Sequence, residues 1–462
     1  MNNLKLALRN LLRNGRRTAM TAFTIAVGTI AMLLLGGFIA NIYYGMQTGI
    51  VRSQGHLHIY PVGYLDFGSS RTTDFYIEDY QLLIQKLIAD PLLKSKVRMI
   101  TPVVDLSGIA GNYVADTSKT FIGKGIIPAD YNRMQTWDSY GLDIEPSLLA
   151  FSRSKIDQGV IGVGMARMLN LCDALKLADC RNKPKIESQG AVVDDIRLLQ
   201  SLSESEDVQP EQSGNQIDIL ASTGSGAPNA VSIDVIAAQK QGNKVLDDSL
   251  ILMHLSQAQK LVFTNDRRAS AIVIQLVDSS DMINIQTYLE QVLNTTDHGQ
   301  ARFEVKTLDE FNTEFLQVMN MFFVIFMFVT LVICLVVLFT TINTLTMSVM
   351  ERISEIGSLR AMGLRRSAIR SQFLLEGTII GTTGATLGLL AAILLTLAFN
   401  NIGINWLPPG SAQSRPLEIQ LFSYPLLTIV VWSLMVAVAT LSSIVPARKA
   451  SKMNIVDAIR SN

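Results

Sequence analysis

Four long runs of the chain carry no charged side chain: Thr18–Val51, Phe315–Met350, Gly377–Ser414 and Ile419–Ala447. An α-helix needs roughly 20 apolar residues to cross about 30 Å of hydrocarbon, so each run is long enough to span a bilayer. Between the first and second runs lies a block of about 265 residues with the composition of a soluble domain. Whole-chain averages, 48% hydrophobic residues and zero net charge, describe neither part. The pattern specifies a membrane protein: four transmembrane α-helices with a large two-lobed α+β periplasmic domain between helices 1 and 2.

Charge placement sets the orientation. Residues 1–17 contain Lys5, Arg9, Arg13, Arg16 and Arg17 and no acid. The segment after the second run holds Arg352, Arg360, Arg365, Arg366 and Arg370 against Glu351 and Glu355. Beyond the fourth run stand Arg448, Lys449, Lys452 and Arg460 against Asp457. The positive-inside rule makes all three segments cytoplasmic, and an even number of spans agrees. The expected layout is a cytoplasmic amphipathic helix 1–17, spans at 18–46, 316–350, 373–400 and 424–446, and an outer domain 47–315. A cytoplasmic loop 351–372, a periplasmic loop 401–423 and a cytoplasmic tail 447–462 complete it.

The first apolar core runs from Ala19 past Ala40, longer than the roughly 7–15 residues of a signal peptide, and reads as an uncleaved anchor. Ahead of it, Leu4, Leu8, Leu11 and Leu12 share one helical face and Lys5, Arg9 and Arg13 another, the pattern of an interfacial helix. A disordered basic tail is the alternative. The first two runs are each about 50 Å long as helix, so they either continue outward as a stalk or tilt in the bilayer.

In the outer block, strands are expected at 55–60, Leu250–Met253, Ala271–Leu276 and Phe303–Val305, with helices at Asp79–Ile88, 256–260 and Met282–Leu293. This arrangement predicts one α+β lobe from 50–105 and 245–315, with a more β-rich lobe, 105–245, inserted into it. The polar, acidic run Ser201–Gly214 reads as a mobile loop. Cys172 and Cys180 lie where a disulfide persists; a bridge and two buried thiols both remain open. Cys334 falls in the second span.

No phosphate-binding G-x-x-x-x-G-K-[ST] loop, G-x-S-x-G elbow, H-E-x-x-H or C-x-x-C occurs, so no catalytic residue is assigned. His56 and His58 share a strand face, yet no third ligand accompanies them, and no metal site is assigned. In Glu351–Gly363, helical spacing gives an apolar stripe of Ile353, Ile356 and Leu359, with Glu351, Arg352 and Glu355 free to project into the cytoplasm. Gly357 and Gly363 permit close approach or a turn. Such a helix docks in a partner's groove or serves as a solvated connector. Gly377, Gly381, Gly384 and Gly388 give small-xxx-small steps, for helix packing within one subunit or between subunits. Glu376 is expected to snorkel or to pair with Arg370 or Arg366.

The segment Glu351–Gly363, continued by Arg370-Ser-Gln-Phe-Leu-Leu-Glu-Gly377 and Gly381, Gly384 and Gly388, resembles the core motif of FtsX-like (MacB-type, type VII) ABC-transporter permeases. Pro446-Ala-Arg-Lys-Ala and the residues to Arg460 are similar to that family's ending. Gly55-His-Leu-His-Ile, Thr101-Pro, Phe121–Pro128 and Gly162–Arg167 look like the lipoprotein-releasing (LolC/LolE-like) branch. The acidic loop around 190–225 and Leu169-Asn-Leu-Cys-Asp173 depart from it.

The resemblance implies a permease of the bacterial inner membrane that pairs with a second permease and with separate ABC ATPase subunits, which bind ATP and Mg. No cofactor and no nucleic acid belong to this chain. The implied ATPase-coupling residues are Glu351, Arg352, Glu355, Ile356, Gly357, Arg360 and Gly363. A lipoprotein or other amphiphilic cargo would meet Met319, Met321, Phe322, Phe323 and Phe326, since Met and aromatic side chains adapt to varied apolar ligands. The rival readings are an efflux permease of a tripartite macrolide-type exporter, and a transmembrane signalling permease that regulates a periplasmic enzyme.

Overall fold

The computed structural model describes residues 9, 11, 13, 15–68, 74–142, 144–151, 155–178, 180, 214–223, 226–263, 267–294, 302–406, 415–421 and 425–453. Leu4, Lys5, Leu8 and Leu12 of the expected interfacial helix, residues 201–213 and the tail beyond 453 lie outside the described residues. The chain divides into two compact units, 1–45 with 314–406 and 416–462, and 46–313 with 407–415.

The first unit is helical. Its elements are α1 (Gly15–Gln54, leaving the unit after Gly45), α2 (Thr313–Glu351), α3 (Ile353–Ala361), α4 (Arg366–Ile402), α5 (Pro425–Ser442) and α6 (Ile444–Lys452). Only a helix satisfies every backbone donor and acceptor within one segment in hydrocarbon. α1, α2, α4 and the α5–α6 pair are long and apolar enough to cross a membrane. α1 and α2 run 40 and 39 residues without a break, about 60 Å each. The core gathers Ile25, Met32 and Leu33 of α1, Val337 and Leu345 of α2, Ile380, Ala385 and Ala392 of α4, and Val431, Met435 and Ala439 of α5.

The glycine stripe of α4 serves two neighbours. A Cβ on Gly377 or Gly381 would stand 2.6 Å from Ser443 Cβ and 2.8 Å from Ala439 Cβ. One on Gly384 or Gly388 would stand 2.8 Å from the Ala22 carbonyl and 2.6 Å from the Ala26 carbonyl. The absent side chains let α4 approach α5–α6 at one end and α1 at the other. By contrast α2 buries only Phe315, Val337, Thr341, Leu345 and Val349, the last four at steps of four along one line.

The second unit is α+β. Its strands are β1 (Leu57–Pro61), β2 (Ile77–Glu78), β3 (Val97–Asn112), β4 (Thr117–Ile126), β5 (Gln158–Gly162), β6 (Gln216–Ser222), β7 (Pro228–Gln239), β8 (Leu250–His254), β9 (Arg268–Ala269), β10 (Ala271–Leu276) and β11 (Phe303–Thr307). The main sheet runs β11-β1-β10-β3-β4-β8-β5-β7-β6, and β6 also pairs with β3. That last pairing closes β3, β4, β8, β5, β7 and β6 into a six-stranded ring. The first half of β3 pairs with β10, and the second half with β4 and β6. The helix Leu255–Val262 packs on the ring where Gly125 leaves room for Ala258. Sequence reasoning put strand 250–253 and the helix after it in the lobe built from the two ends. β8 pairs instead with β4 and β5 inside the ring, because its partners are distant in sequence and spacing does not reveal them.

Cys172 and Cys180 form a disulfide, with Cα atoms 5.4 Å apart, packed beside Val163 and Leu177. Both ring nitrogens of His56 and His58 are engaged by protein groups, and no group of three metal-ligating side chains occurs among the described residues.

Candidate functional site

The arginine-bearing pole of the helical unit gathers the sequence-predicted coupling residues. α2 stops at Glu351, Arg352 leaves helical geometry (φ −118°, ψ 23°), and α3 follows at once. Two residues past its end Gly363, at φ +93°, closes α3 by donating to the Arg360 carbonyl at 3.0 Å. That left-handed conformation is open to glycine at no steric cost. α3 is thus a short rod between two backbone breaks.

Its apolar side is buried. Ile356 packs with Val349, Ile369, Phe373, Ala447 and Ala450, and Gly357 is buried beside it. Ile353 and Leu359, the other members of the expected stripe, are half-buried. Arg360 donates to the main-chain oxygen of Met453, and Arg370 Nε donates to Ser451 Oγ at 3.0 Å. Together these contacts seat α3 and α4 on the end of α6.

A line of alternating charges runs through this pole. Arg13 grips the Glu355 carboxylate with two bonds of 2.7 and 3.1 Å. Arg352 Nε reaches the same carboxylate at 3.2 Å, while its Nη1 reaches Glu376 Oε1 at 3.2 Å. The side chains of Arg352 and Glu376 are 6% and 1% exposed, whereas Glu355 is 47% exposed. Hydrogen bonding from Arg13, supported by Arg352, holds the Glu355 carboxyl below its ordinary value. Arg17 pairs with Glu351.

Three expectations are corrected here. Arg352 does not project outward but turns inward, because a buried carboxylate awaits it. Glu376 pairs with Arg352, not with Arg366 or Arg370. Ile356 and Gly357 lie on the inward side of α3, buried and not open to a partner. Ser354, Glu355, Ser358, Met362 and Leu364 are exposed, and an open groove lies along Gly363, Leu364, Arg365, Ser367, Ala368 and Ser371. Sequence reasoning missed Arg13 and Arg17, whose partners stand more than 300 residues away; no local spacing signals such a pair.

The other named residues lie on α2. Met321 and Phe323 are 52% and 62% exposed; Met319, Phe322 and Phe326 are half-buried. Phe326 lies against α1 at Gly36, 3.3 Å from where a Cβ would stand.

Comparison with known proteins bears on this pole. Residues 324–455 match the FtsX-like permease C-terminal family. The chain is 31% identical over 148 residues to the ABC transporter permease YtrF of Bacillus subtilis, covering 30% of this chain and 34% of that one. It is 24% identical over 228 residues to an uncharacterized ABC transporter permease of Methanocaldococcus jannaschii, covering 49% of this chain and 54% of that one. It is 25% identical over 222 residues to the macrolide export ATP-binding/permease protein MacB of Campylobacter jejuni, covering 48% of this chain and 32% of that one. The chain thus spans between a third and about half the length of these relatives. The family match takes in α3, α4, α5, α6 and most of α2, the helices that build this pole.

Proposed function

We propose that the chain is the permease subunit of an ATP-driven type VII ABC transporter, working with a second permease subunit and with separate ATPase subunits that bind ATP and Mg. The observation that carries this reading is the pole itself: a nine-residue rod, seated on three helices, with one polar face and an adjoining groove left open. A short rigid helix with an exposed face is suited to take up a push from a partner. In this reading the pole lies in the cytoplasm, residues 46–313 lie in the periplasm, and the chain sits in the bacterial inner membrane. The long α1 and α2 carry movement outward.

For the cargo we infer a lipoprotein or similar amphiphile extracted from the membrane, met by the apolar flank of α2 around Met321 and Phe323. The second reading, efflux of a small apolar compound, draws on the likeness to relatives named for macrolide export. Purifying the chain from native membranes and identifying its companions tests both. An ATPase with lipidated proteins supports release; an ATPase with a periplasmic adaptor supports efflux. Glu355→Lys and Gly363→Pro are expected to leave expression intact and to uncouple ATP hydrolysis from transport. If both variants retain the ATPase and full coupled activity, the contact is wrong.

A further inference from the structure

We propose that Arg352 is a positioning residue that pins α3 to α4, so that displacement of α3 is delivered to α4 and not absorbed by the backbone breaks beside it. The proposal rests on the permease reading above and adds to it the element that receives the push.

The backbone alone would let α3 swing. It is bounded by the non-helical Arg352 on one side and by Gly363 at φ +93° on the other. The Arg352 side chain crosses the first break. Its Nε holds Glu355, on α3 itself, and its Nη1 holds Glu376, in the third turn of α4. The guanidinium carbon also lies 6.0 Å from the ring centroid of Phe373, one turn before Glu376. One planar group therefore joins the hinge, the rod after it and the next helix. The rigid planar fork of the guanidinium bonds two carboxylates in fixed directions from Nε and Nη1; a lysine ammonium, a compact point charge with rotating donors, does not reproduce that geometry.

Burial decides how firm the pin is. Exposed pairs such as Arg13–Glu355 are screened by salt and contribute little. The Arg352–Glu376 pair is almost without solvent, so removing one partner weakens the support of a buried charge, while replacing both by apolar groups of similar volume is tolerated. This asymmetry supplies the test: Arg352→Met with Glu376→Leu removes the ionic link and keeps the packing.

The full chain, with Cys334→Ala and spin labels at Ser358→Cys and Leu394→Cys, is purified with its co-eluting ATPase into lipid nanodiscs. Distances are measured without nucleotide and with ATP plus vanadate. With Arg352 and Glu376 present, the distribution is expected to stay narrow and unchanged between the two states. In the double replacement the nucleotide-bound distribution is expected to broaden by about one helical turn, roughly 5 Å. Arg352→Lys should fall between. The pin is overturned if the double replacement keeps the narrow, nucleotide-independent distribution, or if the parent protein itself shows a nucleotide-dependent change. A parent protein that brings down no ATPase overturns the permease reading, and this proposal with it.

Discussion

His58 Nε2 donates to the main-chain oxygen of Gln54 at 2.6 Å. The carbonyl accepts only, so His58 Nδ1 accepts the Tyr60 hydroxyl hydrogen, also at 2.6 Å. The strand that leaves α1 thereby returns a side chain to cap it. Gln275 Nε2 and Gln135 Nε2 do the same for the carbonyls of Val51 and Arg52. The Arg52 and Gln54 carbonyls lie in the last turn, where a helix leaves acceptors unpaired, and the Val51 carbonyl also accepts Gly55 N–H at 2.9 Å.

Acidification is expected to weaken the second unit. Burial lowers both His56 and His58 to about 4, against about 6.5 in an unfolded chain. Between those values the unfolded state binds more protons, so stability rises with pH and is lost as pH falls from about 6.5 towards 4, by at most about 3 kcal/mol per histidine. His56 stacks edge-on to Trp137 at 5.1 Å, which makes tryptophan emission the local reporter. Thermal melts from pH 7 to 4.5 should show a falling midpoint, flattened in His56→Asn/His58→Asn. An unchanged slope in that variant would assign the effect to other groups.

Gly388→Ala is expected to open the α1–α4 contact. Its new methyl would meet Ala26 O at 2.6 Å and Thr29 Cβ at 2.7 Å, an overpacking cost of about 1–3 kcal/mol. Melting in detergent should drop by several degrees, whereas Gly15→Ala, with nothing within 4 Å, should not lower it. Equal melting of the two variants would refute the close approach.

Arg52→Met should destabilise the second unit more than a surface change does. Arg52 is buried and donates to the Trp137 and Ile144 carbonyls at 2.6 and 2.8 Å; losing two bonds from a charged donor costs about 3 kcal/mol or more. Hydrogen exchange over 137–145 should rise first. Native protection in that stretch would contradict the assignment.

Intact-mass analysis under non-reducing conditions should find Cys172 and Cys180 blocked and Cys334 as the residue that alkylates on unfolding. Reduction should destabilise the second unit by about 2–3 kcal/mol, the closure entropy of so small a loop. Alkylation of all three cysteines without reductant would show the bridge absent.

The charge-free runs located the long helices because burial in hydrocarbon forbids ionised groups over a defined length, a constraint visible in any window. The glycine stripe of α4 was equally plain. That its two halves face different helices was not, since the crossing depends on how α1 and α5 lean on one surface. Strands β1, β10 and β11 were legible as short runs, but β8 joined the ring through β4 and β5, and pairing between distant strands has no local signature. At the pole, spacing proposed Arg366 or Arg370 for Glu376, which lie ten and six residues before it along the same helix. The rotation of the chain at Arg352 and Gly363 brought Arg352 instead, and two torsion angles decided it.

β3 spends its first residues beside β10 and its last ones within the closed ring. One unbroken stave is therefore common to the open part of the sheet and to the barrel, so the two are joined by covalent backbone as well as by hydrogen bonds.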